Sequence, residues 1–162
     1  MKSLVIYYSR YGNTARVADV LLEALRQKGE ASAIEIEYLN HKQNLFRRAF
    51  FRLLPTLVRL APINSDLKQY DLICFGIPVW GGRPSAPITK YLSLIKHIGK
   101  KKVICYYVYG SEISAQQCAK YIERVLYRKG CSLVINAFIP WENIDDQWFL
   151  SNAINQAIAL AT

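Results

Sequence analysis

The chain has 162 residues, 52% of them hydrophobic, and a formal net charge of +9 from 21 Lys and Arg against 12 Asp and Glu. That is enough for one domain with a real core, and no stretch reaches the length of a membrane-spanning helix. The charge points to anionic partners without choosing among nucleotides, acidic proteins, nucleic acid and an anionic membrane surface, and the four cysteines form no CxxC pair that would hold zinc or act as a dithiol.

Leu4 to Tyr8 is a continuous apolar run, as expected of a parallel strand covered on both faces. The N-terminus runs straight into it, so no signal peptide is expected. Residues 14–28 read as a helix, with Val17, Ala18, Leu21, Leu22 and Leu25 in one stripe and Gly29 closing it. Ala31 to Glu37 is a weaker, alternating strand expected at a sheet edge. Leu72 to Ile77 is a second continuous apolar strand. A helix over 87–98 shows Ile88, Tyr91, Leu92 and Ile95 and is closed by Gly99. Val103 to Tyr109 is the fourth strand. Ala115, Cys118, Ala119, Ile122 and Leu126 mark a helix closed by Gly130. Leu133 to Ile139 is the fifth strand, and Leu150 to Ile158 carries the stripe of a last helix that Asp145 and Asp146 are placed to cap. Cys74, Cys105, Cys118 and Cys131 fall on apolar runs, one helix face and a strand start, and are expected as buried, reduced thiols of a cytoplasmic protein.

Five strands alternating with helices predict a doubly wound α/β domain over 1–162 with a parallel sheet. Periodicity yields the strand count but not the strand order. Gly12, Gly76, Gly81, Gly82 and Gly110 lie at or after strand ends, where open α/β sheets bind ligands. Loops after the first, third and fourth strands therefore stand out.

The first loop is Ser9-Arg10-Tyr11-Gly12-Asn13-Thr14. A phosphate here meets free backbone N–H groups, the positive end of a helix dipole and the short donors of Ser9, Asn13 and Thr14. A plain strand-to-helix turn capped by Asn13 or Thr14 has the same residues. The chain has neither GxxxxGK[ST] nor GxGxxG, so a P-loop nucleotide hydrolase and a dinucleotide-type pyrophosphate turn are not supported. A loop around one terminal phosphate suits a mononucleotide such as FMN.

Tyr7 to Thr14, followed by Val17-Ala18, resembles the signature of the flavodoxin family. The resemblance implies a three-layer fold with strand order 2-1-3-4-5. It also implies that Ser9, Arg10, Tyr11, Gly12, Asn13 and Thr14 hold the phosphate of FMN. Arg10 departs from the usual uncharged loop. The second loop, Gly76 to Pro87, resembles the Gly-x-Pro-Val-Trp segment of the same proteins. Pro78, Val79, Trp80, Gly81 and Gly82 would border the isoalloxazine, with Trp80 as its aromatic wall and the glycines allowing a peptide to reorient near N5. Gly82 stands where many members carry an acid. The third loop offers Tyr109 as a second wall and Gly110 and Ser111 as backbone contacts, or else is an ordinary loop with Ser114 as helix cap.

The likeness weakens at 40–66. Residues 41–62 carry five Lys or Arg and no acid, with Arg48, Arg52 and Arg59 on one helical face and Phe46, Phe50, Leu53, Leu54 and Leu57 on another. Pro55 divides or kinks that helix. This insert reads as an ordinary amphipathic helix, a lid over the flavin, a docking surface for an acidic partner, or a contact with an anionic membrane that reaches a quinone. A similar insert occurs in flavodoxin-like proteins related to menaquinone-dependent protoporphyrinogen oxidase. His41 and His97 suggest no catalyst, and Trp141 borders a pocket or joins the core. The expected function is electron transfer through FMN with a partner protein. The alternative is an NAD(P)H- or menaquinone-linked FMN oxidoreductase. A nucleic-acid-binding module lacks a recognition motif.

Overall fold

The computed structural model describes residues 1–39 and 58–162. The helix predicted for the basic insert, and the faces assigned to it from residue 40 to 57, lie outside the described residues. The elements in chain order are β1 (Lys2–Tyr7), α1 (Asn13–Arg26), β2 (Glu30–Glu35), β3 (Leu72–Trp80), β4 (Arg83–Pro84), α2 (Ala86–Leu94), β5 (Lys102–Tyr109), α3 (Glu112–Arg128), β6 (Leu133–Pro140) and α4 (Gln147–Ala161).

The long strands lie in the order β2-β1-β3-β5-β6, every neighbouring pair parallel. Counting only these five gives the expected order 2-1-3-4-5. Each strand buries alternate residues on opposite faces. Leu4 and Ile6 of β1, Ile73, Phe75 and Ile77 of β3, and Val103, Cys105 and Tyr107 of β5 pack under α2 and α3. Val5, Leu72, Cys74, Ile104, Tyr106 and Val108 pack under α1 and α4. The result is three layers, helices on both faces of the sheet. Covering both faces is what makes β1, β3 and β5 continuous apolar runs. Each fully buried Val, Leu, Ile or Phe contributes roughly 1.5–3 kcal/mol of transfer free energy. The four cysteines are free and buried.

The helices follow the stripes. Val17, Ala18, Leu21 and Leu25 of α1 are buried, as are Cys118, Ala119, Ile122 and Leu126 of α3. Asp146 caps α4, its carboxylate accepting from Phe149 N at 2.9 Å. α2 is shorter than its pattern predicts. It ends at Leu94 because Ile95 is already extended, and His97 and Lys100 both take positive φ in the turn that follows. Ile95 and Ile98 are still buried, so the apolar spacing there records burial and not helix.

β3 is longer than expected. The predicted strand stops at Ile77, yet Pro78 pairs with Val108 of β5, and Val79 and Trp80 pair antiparallel with the unforeseen β4. The chain passes from β1 out to β2 at one edge and returns as β3 on the other side of β1, which makes the carboxyl ends of β1 and β3 the topological switch point. Described residues on either side of 40–57 come together beside this end. Tyr38 and Leu60 form an antiparallel bridge, and Ala61 N donates to Glu37 O at 3.1 Å.

Candidate functional site

The loop after β1 is built to leave a helix end bare. Gly12 is the N-cap of α1 with φ 87°, ψ −21°, and as a glycine it offers no side chain to cap the helix. A Cβ added at Gly12 would meet nothing within 4 Å, so this glycine serves the backbone conformation and faces open space. The amides of Asn13 and Thr14 have no protein acceptor among the described residues. No acid sits in the first turn. Ser9 Oγ accepts from Ala15 N at 3.2 Å and so fixes the loop to the helix. Thr14 is buried, Asn13 half-buried, and Arg10 and Tyr11 exposed, with the Arg10 guanidinium 5.1 Å from the Tyr11 ring centre. Arg16 pairs with Asp145 in the loop before α4.

The second loop is a hairpin. Trp80 and Arg83 pair across Gly81 and Gly82, whose φ values of 55° and 74° are both left-handed. That is the two-residue turn whose twist matches its strands, and it demands residues tolerant of positive φ. The turn places Trp80, half-buried, beside the first loop: its ring meets Tyr8 edge-on at 6.0 Å, and Tyr8 meets Tyr38 edge-on at 6.2 Å. Burial raises the Tyr8 and Tyr38 phenols above their ordinary pKa, so both stay neutral donors. The outer arm rests on α3. The Arg83 guanidinium lies 5.0 Å from the Tyr121 ring centre, and a Cβ on Gly82 would come within 2.4 Å of Gln117 Oε1. Gly82→Ala is therefore expected to cost about 1 kcal/mol from its positive φ, measured by urea unfolding. Gln117→Ala in the same chain removes the contact but leaves that cost in place.

The third loop joins β5 to α3. Tyr109 is half-buried, edge-on to Phe138 at 6.4 Å, and burial, then the carboxylates of Glu112 and Glu142, raise its phenol pKa. Ser111, not Ser114, caps α3. The Ser111 hydroxyl accepts from Ser114 N at 3.5 Å because the helix begins at Glu112. Gly110 lies under Trp141: a Cβ there would sit 3.6 Å from the indole. Trp141 is 63% exposed, which removes the core reading. Tyr8, Tyr38 and Gln117 were not singled out from sequence. Tyr8 was read as the end of an apolar strand and as part of the Tyr7 to Thr14 signature, with no contact assigned to it, and the other two carry no local signal.

The structure thus brings the first two loops into contact through Tyr8 and Trp80, and sets Tyr109, Gly110 and Ser111 at the same end of the sheet on the next strand. A groove of about 760 Å³ opens at the opposite end, lined by Lys28, Lys100, Lys101 and Lys102 among others. Lys101 Nζ donates there to the carbonyls of Lys68 (3.2 Å) and Tyr70 (2.5 Å). Helix carboxyl ends gather at that end, and cations complement them without a ligand. Among the described residues no cluster of His, Cys, Asp and Glu forms a metal site, and no helix is long and apolar enough to cross a membrane.

No family model matches the chain. The structure of oxidised flavodoxin 1 from Bacillus cereus superposes with a TM-score of 0.67 over 98% of this chain and 95% of that one, at 16% identity. The chain has the flavodoxin-like fold. A flavoprotein from Lactobacillus acidophilus, solved in complex with FMN, shares this flavodoxin-like arrangement with a TM-score of 0.65 over 91% of this chain and 97% of the other, at 20% identity. Among curated proteins, an NAD(P)H dehydrogenase (quinone) from Gluconacetobacter diazotrophicus is 30% identical over 92 residues, which is 56% of this flavodoxin-like chain and 44% of the relative. The chain therefore spans less than half the length of that relative.

Proposed function

We propose that the chain binds FMN at the carboxyl ends of β1, β3 and β5 and transfers electrons between it and a redox partner. The observation that carries this reading is the start of α1, where the amides of Asn13 and Thr14 have no acceptor among the described residues, no acid sits in the first turn and Gly12 faces open space, in a loop that meets the Trp80 hairpin through Tyr8. The donor set fits a phosphate: backbone N–H groups at a helix N-terminus, two hydroxyls, an amide and the Arg10 cation. Ser9, Arg10, Tyr11, Gly12, Asn13 and Thr14 would hold it. Trp80, with Pro78, Val79, Gly81 and Gly82, would border one side of the ring system, and Tyr109, Gly110 and Ser111 the other. When bound, FMN supplies one- or two-electron redox chemistry, while the protein supplies position, stacking and electrostatics.

The net charge of +9 favours an acidic protein partner, reversing the docking logic of an acidic carrier. Four buried free thiols accord with a reducing, cytoplasmic setting. A second reading is supported by the likeness to an NAD(P)H dehydrogenase (quinone): an enzyme in which NAD(P)H or a quinone reacts at the exposed flavin face. Tyr38 and Leu60, described residues on either side of 40–57, pair beside the site, and a pocket lining or a membrane contact by the basic insert would belong to this second reading.

Titration of the purified chain with FMN, followed by absorbance and fluorescence, tests the reading. Stoichiometric binding with a shifted flavin spectrum is expected, and Trp80→Ala should lose that shift and weaken binding about tenfold. No binding at tens of micromolar FMN would end the proposal. Bleaching of the bound flavin by NAD(P)H without a partner protein would favour the enzyme over the carrier.

A further inference from the structure

We propose that Tyr106 is a positioning residue for the phosphate loop, its hydroxyl holding the first turn of α1 from beneath through the carbonyl of Thr14. This rests on the phosphate reading of that loop. Tyr106 lies in mid-β5, 1% exposed, on the sheet face covered by α1 and α4. Its hydroxyl donates to Thr14 O at 3.4 Å, and no other acceptor for it occurs among the described residues. Burial holds the phenol well above its ordinary pKa, so it remains a donor throughout the working pH range.

The contact spans three elements. β3 lies between β5 and β1 in the sheet, and the Tyr106 ring reaches α1 by passing over β3 at Gly76. A Cβ on Gly76 would lie 2.1 Å from Tyr106 Oη and 2.4 Å from Cζ, so only glycine leaves the passage open. Gly76 does not have positive φ, so its role is space and not backbone conformation. Thr14 is the second residue of α1, next to the bare amides of Asn13 and Thr14. Ser9 Oγ holds the same turn from the loop side through Ala15 N. The two contacts clamp the turn whose amides would face the phosphate. Preorganised donors lose less freedom on binding than donors that must be ordered by the ligand.

Tyr106→Phe removes the hydroxyl and keeps the ring volume. Comparing FMN with riboflavin, which lacks the phosphate, isolates the loop from the ring site. The dissociation constant for FMN should rise about three- to tenfold and that for riboflavin by less than about twofold. Equal losses for both ligands, or no loss for FMN, would overturn the inference. A second measurement needs no cofactor: in the ligand-free chain the amide resonances of residues 12–16 should shift more than those of the distant β6–α4 region. Unmoved resonances would overturn the contact even if FMN binds. A parent chain that binds no FMN removes the function proposed above, and shifted resonances would then support Tyr106 as the support of that turn.

Discussion

Asn13→Asp is expected to stabilise the ligand-free chain slightly while weakening FMN binding about a hundredfold. Asn13 opens α1, and the first turn contains no acid although only Ala15 N, held by Ser9 Oγ, is capped. A carboxylate there meets the positive end of the helix dipole, which is worth about 0.3–1 kcal/mol at an exposed site. Ordinary optimisation for stability would favour that acid. A bound phosphate would occupy the same field. A carboxylate a few ångströms from it costs several kcal/mol per charge pair at an effective dielectric constant near 20, less what salt screens. The two effects have opposite signs on two observables, which a general structural defect does not produce. Urea unfolding gives the first and fluorescence titration the second. Riboflavin affinity should be nearly unchanged, and added salt should restore part of the FMN affinity. An unchanged FMN affinity would remove the phosphate from this helix end.

Gly76→Ala should lower stability by about 1–3 kcal/mol, the range for forcing extra volume into a packed interior. The added methyl would lie 2.1 Å from Tyr106 Oη and 2.6 Å from Tyr7 Cβ. Neither neighbour has room to yield. Tyr106 is buried, and Gly76 pairs with Tyr7 of β1 on one side and Tyr106 of β5 on the other. Moving its backbone disturbs two ladders at once. Urea unfolding of the single variants and of the Gly76→Ala, Tyr106→Ala pair measures the coupling. Residues in such contact depart from additivity by about 0.5–3 kcal/mol. Here the second substitution should cost less once the first is present, because it vacates the space the methyl needs. Additive losses would mean that the ring does not occupy the space above Gly76.

The sheet was legible because parallel strands covered on both faces must be apolar at every position. Leu4 to Tyr8, Leu72 to Ile77 and Val103 to Tyr109 stand out on that ground alone, and α1 and α3 on their stripes. The loop around Gly12 stood out too, but the same residues also read as a plain turn capped by Asn13 or Thr14; in the structure Gly12 is the N-cap and both of those residues lie inside α1. The strand order came from the resemblance and agrees with the fold. Other features had no local signal. The apolar spacing at Ile95 and Ile98 looked helical, but those residues are buried in a turn. Trp80 was expected in a loop, and pairing with Arg83 across two left-handed glycines makes it the end of a strand.

By itself the sequence determined the order of strands and helices, which faces are buried, and the loops available to a ligand. Tertiary structure alone decided that Tyr8 joins two of those loops, that Gln117 lies against Gly82, and that Gly76 is glycine because Tyr106 passes above it. The physical reason is range. Periodicity records which side of one element faces the core, whereas the space above a given Cα is filled by side chains from strands and helices far along the chain.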